Sequence, residues 1–318
     1  MLLTLNDDQR AIMDALDNFA RPFEEKPIEA CGFVLESQEF DAELAGAGFL
    51  EVGHDPDLGL VTAALVVERL ARLPYVSEIA ASAIIGPSLG EATQRPLCLA
   101  NGALPAAPVR FLRPGARILV LDGESAVCLD AGREHVETFT DTLYAYPVAR
   151  LAAGWRETDA PSIDAKRLVT GWRIALAAEA AGLLRGGIDS TVRYVSERKQ
   201  FGRPIAAFQA VRHRLAEAHT RAEGVRWLSL KAAATEDGAE AALAAHFAQD
   251  AAGRVIYDLH QFLGAMGVTL EHPLHLWTYR LKALTAELGG SMRQAMAAGE
   301  ALGSAGRTVP CGADKRMA

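Results

Sequence analysis

The sequence predicts a mainly α-helical protein with a small β module. A helical domain covers residues 1–94, a reduced β domain 95–158 and a four-helix bundle 159–318. Three observations carry this. The chain has 318 residues, which at about 150 per domain is two domains or a little more. Ala and Gly are abundant and aromatics make up only 7%, a composition that favours close-packed helices over a sheet-rich fold. The hydrophobic period is helical at both ends and drops toward 2 between Pro96 and Trp155.

The first helix is announced by Asn6-Asp7-Asp8-Gln9, the form of a capping box. Ile12, Leu16 and Phe19 follow at helical spacing, and Pro22 should end the run. A second helix fits Gln38 to Ala47, closed by Gly48, and a third fits Leu60 to Leu73, stopped by Pro74. In the β module, Pro108–Leu112 reads as a strand. Ile118–Leu121 and Ala126–Leu129 read as a hairpin turned by Asp122-Gly123, and Val136, Thr138 and Thr140 suggest one more strand.

From Ser162 the pattern is helical again. A first long helix spans 162–197. Phe208, Val211, Leu215, Ala218, Ala222 and Val225 form the seam of a second, and Phe247, Ala251, Val255 and Leu259 that of a third. Leu274, Trp277, Leu281, Leu284 and Leu288 form the stripe of a fourth. The tail from Gly303 should fray.

Composition narrows the function. Lys+Arg is 32 and Asp+Glu 40, a net charge of −8, without the basic field that nucleic-acid binding requires. The four cysteines, Cys31, Cys98, Cys128 and Cys311, are too scattered for a zinc ribbon or a C-x-x-C redox site. Reduced thiols in a cytoplasmic protein are expected, with neither a secretory leader nor a membrane span. Dinucleotide, P-loop and G-x-S-x-G motifs are missing. His272 and His275 have metal-ligand spacing but no third ligand nearby, so no metal site is expected.

One stretch stands out: Arg198-Lys199-Gln200-Phe201-Gly202-Arg203-Pro204-Ile205-Ala206-Ala207-Phe208-Gln209. Its plain reading is helix capping and a turn. Its functional reading is an anion clamp, with Arg198 bidentate to phosphate and Gln200 and Gln209 hydrogen-bonding a polar ligand. The stretch resembles the central motif of the acyl-CoA dehydrogenases. Gln261-Phe262-Leu263-Gly264-Ala265-Met266-Gly267 and the following Glu271-His272 and Arg280 resemble a second motif of that family, with Ala265 where a glycine is usual.

The resemblance implies FAD as cofactor. Arg198 and Gln200, with Phe201, would meet the pyrophosphate of a flavin in a neighbouring subunit. Phe208 and Gln209 would lie along the same cofactor, and Gln261, Gly264 and Ala265 would cradle its adenosine end. The family reaction removes a proton from Cα and a hydride from Cβ of an acyl-CoA and needs a carboxylate base. At the family's two base positions this chain carries Gly289 and Trp172. Glu287 is two residues off the first, on a helix about 200° away, and Glu179 lies two turns beyond the second. The loop and Trp segment that pack on the flavin ring are also missing.

The expectation is therefore a short, base-lacking subunit of an α2β2 acyl-CoA dehydrogenase of the steroid side-chain type. It has no catalytic residue of its own and completes the FAD site of a full-length catalytic homologue. Acyl-CoA would be the substrate and electron-transfer flavoprotein a candidate acceptor. The alternatives are a self-sufficient divergent dehydrogenase using Glu179 or Glu287, and a non-catalytic scaffold.

Overall fold

The structure, a computed structural model, describes residues 4–28, 32–90, 94–104, 106–139, 144–157 and 159–304. Helices α1 (Asp7–Glu25), α2 (Gln38–Gly46), α3 (Gly59–Ala71) and α4 (Ala80–Ile84) come first. The capping box forms: Asn6 accepts from the Gln9 amide while the Gln9 side chain accepts from the Asn6 amide. Pro22 does not end α1, which runs one turn further to Glu25; the proline forfeits only its own donor to the carbonyl four residues back, and the amides after it can still bond. Phe19, Phe23, Phe40, Phe49 and Tyr75 meet ring to ring with centroids 5.1–5.9 Å apart, locking α1 and α2 together.

The β module contains two small sheets. Strands β1 (Leu97–Asn101), β3 (Arg117–Asp122), β4 (Ser125–Asp130) and β7 (Ser162–Ile163) form one in that order; β2 (Pro108–Arg110), β6 (Val148–Leu151) and β5 (Val136–Thr138) form the other. The Asp-Gly hairpin pairs Asp122 with Ser125 across Gly123. β2 stops at Arg110 because Phe111 takes a positive φ of 61°. Thr140 lies outside the described residues. Ser162 and Ile163, expected to begin the helix, pair with β4 instead.

The bundle follows: α5 (Ala165–Glu197), a two-residue-per-strand hairpin of β8 (Lys199–Gln200) and β9 (Arg203–Pro204), α6 (Gln209–Thr235), α7 (Gly238–Leu263), α8 (His275–Leu284) and α9 (Gly290–Ser304). The fourth predicted stripe is broken. α8 ends at Leu284, Leu288 adopts φ 53°, Gly289 and Gly290 are also left-handed, and a separate helix α9 starts there. α9 packs on α7. The tail from Gly303 lies almost entirely beyond the described residues. Cys98 and Cys128 are free thiols, and burial pushes the Cys98 thiol far above its ordinary range. No helix of the described residues is long and apolar enough to cross a membrane.

α5 is the axis of the molecule, buried along most of its length between α3, α6, α7 and α8. It touches α3 so closely at Gly182 that an added Cβ would fall on the Glu68 carbonyl and within 2.8 Å of the Ala71 methyl. Backbone there has no room to shift, so Gly182→Ala should lower stability by about 1–3 kcal/mol. Denaturant unfolding checks this; an unchanged midpoint would show that the helices separate more easily than their packing implies.

Candidate functional site

Where the β module meets the bundle, five side chains from distant parts of the chain converge. Arg110 ends β2, and its guanidinium Nη1 donates to both oxygens of Glu179 on α5 at 3.0 and 2.9 Å. Its Nε faces Glu287 Oε1 at 2.7 Å. The Tyr146 hydroxyl donates to Glu179 at 2.8 Å, and its ring lies 4.6 Å beneath the guanidinium carbon. The indole of Trp172 donates to the other Glu287 oxygen at 2.7 Å. Burial opposes the Arg110 charge, but the Glu179 and Glu287 carboxylates outweigh it and hold the guanidinium well above its ordinary range. Burial, reinforced by Glu179, pushes the Tyr146 phenol far up.

This corrects the helical extrapolation that turns Glu287 away. Glu287 sits not on a continuous helix but in the 3-10 turn before the left-handed Leu288, and the kink aims its carboxylate at the junction. Both candidate carboxylates therefore reach one place, and both are tied to the same arginine. Arg110 and Tyr146 were invisible in the sequence: they lie 69 and 33 positions from Glu179, and no local pattern links them.

Arg110, Trp172, Glu179 and Glu287 line a cavity of about 150 Å³, also bounded by Ile79, Asn101, Leu104, Tyr144 and Leu288. Pockets that hold organic ligands start at about 300 Å³. The space left beside Arg110 is about half of that.

The predicted cofactor residues lie elsewhere, at the far end of the bundle. The backbone of Arg198 caps α5 by donating to the Tyr194 carbonyl at 2.9 Å, and its own carbonyl accepts from Ile205 at 2.9 Å; the side chain is exposed. Gln200 pairs with Arg203 across a turn in which Phe201 (φ 54°) and Gly202 (φ 77°) are both left-handed. The Phe201 side chain stands 91% exposed. Phe208 is half-buried, edge-on to Phe201 at 6.3 Å and 4.1 Å below the Arg203 guanidinium. Gln209 opens α6 and is exposed, as are Gln261, Gly264 and Ala265 at the end of α7. The two segments share one end of the bundle, because Arg214 on α6 pairs with Asp258 on α7 and lies 5.8 Å from the Phe262 ring.

Arg198 follows Glu179 by 19 positions on one helix. At about 1.5 Å per residue that is about 28 Å along the axis. Exposed arginine, glutamines and aromatic edge suit the diphosphate and adenosine portion of a dinucleotide approaching from outside.

His272 and His275 are engaged in hydrogen bonds. His272 Nδ1 accepts from the Leu274 amide at 3.1 Å, and His275, 2% exposed, reaches the His272 and Gly32 carbonyls at 3.0 and 3.2 Å. Burial, with His275 and Arg193 nearby, pushes His272 below its ordinary range. Among the described residues no three metal-ligating side chains are grouped to hold an ion.

Comparison with known proteins defines the class. Residues 164–303 match the acyl-CoA dehydrogenase C-terminal domain family. The chain is 30% identical over 271 residues to acyl-CoA dehydrogenase IpdE2 of Mycolicibacterium smegmatis, covering 77% of this chain and 87% of that protein. It belongs to the acyl-CoA dehydrogenase family, whose members use FAD. It is 34% identical over 189 residues to acyl-CoA dehydrogenase FadE34 of Mycobacterium tuberculosis, 57% of this chain but 27% of that longer protein. The fold is similar to one chain of the ChsE4-ChsE5 complex from Mycobacterium tuberculosis, with TM-score 0.68, 20% identity and coverage of 95% and 99%. It is likewise similar to the Tcur3481-Tcur3483 steroid ACAD G363A variant, with TM-score 0.69, 22% identity and coverage of 96% and 100%.

Proposed function

We propose that this chain is the non-catalytic partner subunit of a two-chain, FAD-dependent acyl-CoA dehydrogenase. It lends the diphosphate- and adenosine-binding surface to a full-length homologue that houses the flavin ring and supplies the base. The observation that carries this reading is the separation of about 28 Å along α5 between the outward-facing Arg198 motif and the small junction cavity. A surface so placed serves a flavin held by another chain. The two-component names of the ChsE4-ChsE5 and Tcur3481-Tcur3483 structures support a heteromeric assembly. The word steroid in the second supports a polycyclic acyl-CoA thioester as substrate, with electron-transfer flavoprotein as the acceptor to test first. The self-sufficient reading is disfavoured because Glu179 and Glu287 are both held in ion pairs with Arg110.

The test is co-expression with a full-length homologue carrying an intact base. The joint product should be a yellow complex that dehydrogenates a steroid side-chain acyl-CoA, while this chain alone should retain no flavin and show no turnover. Dehydrogenation by this chain unaccompanied would overturn the proposal.

A further inference from the structure

We infer that Arg110 is an autoinhibitory plug, an internal ligand that engages both junction carboxylates, narrows the cavity it lines and keeps this chain from accepting a flavin ring or thioester of its own. The inference rests on the partner-subunit reading and adds to it the device that closes the unused site.

Three observations make Arg110 a tethered ligand rather than an ordinary ion pair. Its contacts are those of a bound guanidinium: two oxygens of Glu179, one of Glu287 and an aromatic face beneath. That is how a planar cation is recognised, with carboxylate oxygens shared by Nη1 and met by Nε, and a π surface below. The acceptors are themselves fixed from outside, Glu179 by Tyr146 and Glu287 by Trp172. The receptor is thus built by the bundle and by the segment leading into β6, not by Arg110's own neighbours in sequence.

The arginine is also delivered by the smaller module. β2 is three residues long and its side chain crosses the module boundary to α5 and to the turn after α8. Without the guanidinium, the Glu179 and Glu287 carboxylates would border the cavity without their shared cation, open to an incoming ligand. With it, both are spent as acceptors. Arg110 therefore narrows the space for a ligand and engages the carboxylates that would act on it.

Chemical rescue on the full-length chain tests this without partner or flavin. Arg110→Ala should lower the thermal midpoint by several degrees, and methylguanidinium should restore most of the loss in a saturable manner, against sodium chloride at equal ionic strength. Native protein and Arg110→Met, whose side chain fills the same channel, should show no saturable rise. Equal responses of all three would overturn the inference. Should Arg110→Ala not fold, Arg110→Lys decides. Lysine keeps the charge but loses the fork, so a midpoint below the native one supports the plug and an unchanged one overturns it. Because neither partner nor flavin is present, a negative result here leaves the co-expression outcome standing, and the reverse also holds.

Discussion

Arg280→Ala should cost about 3–5 kcal/mol of unfolding free energy, read as a fall in the denaturant midpoint. Arg280 projects from α8 into the N-terminal helical layer and is 2% exposed. Its guanidinium donates to the carbonyls of Ala71, Leu73 and Tyr75 at 3.1, 3.2 and 2.8 Å. These oxygens belong to the last residue of α3 and the chain just beyond it, where helical carbonyls lack partners of their own. A cation there also faces the negative end of the α3 dipole. Truncation would leave three buried acceptors without a donor, each worth about 1–3 kcal/mol if unsatisfied, and a void where the side chain had been. Arg280→Lys should recover only part, since one ammonium cannot span three carbonyls with the geometry of a fork. A loss below about 1 kcal/mol for the alanine variant would mean that water or relaxation satisfies these carbonyls, and the link between α8 and α3 would need another cause.

Arg280 shows how a family resemblance and a structure divide the work. The resemblance marked the residue as part of the second motif; its three carbonyl acceptors lie more than 200 positions away and no periodicity points to them. What sequence reasoning captured was local. The Asn6–Gln9 cap, the Asp122-Gly123 hairpin and the apolar seams of α6 and α7 each depend on residues a few positions apart, whose chemistry sets dihedral angles or faces directly. What it missed was set by backbone breaks or by long-range pairing. Leu288 is a branched residue at φ 53°, a conformation its side chain disfavours, so nothing in its type announces the end of a stripe; the Gly289-Gly290 pair was the available signal. That single kink split the fourth helix, created α9 and swung Glu287 into the junction. Pro22 failed in the opposite direction, since a proline costs the bond to the carbonyl four residues back and does not itself stop the turn that follows. The candidate site divides in the same way: the Arg198 motif is contiguous and legible, whereas Arg110, Tyr146, Glu179 and Glu287 meet only in three dimensions.

Arg198→Ala separates a cofactor surface from a merely capped helix. The fold depends on the backbone of residue 198, held by Tyr194 on one side and Ile205 on the other, and not on its exposed side chain. Truncation should therefore leave the stability of this chain within about 0.5 kcal/mol of native and leave the β8–β9 hairpin in place. In the complex with a flavin-bearing homologue the outcome should differ. A charge-assisted, bidentate contact to a diphosphate contributes about 1.5–3 kcal/mol, so flavin retention should weaken about 10- to 150-fold, measured as FAD released on dilution and gel filtration. Arg198→Lys should fall between the two, keeping charge but not the fork. Rising salt should narrow the gap between native and Arg198→Ala complexes, because an exposed cation acts through a screened field. Equal flavin retention by native and Arg198→Ala complexes, both assembled in full, would reduce the motif to helix capping. The partner-subunit reading would then lose the contact on which lending a cofactor grip depends.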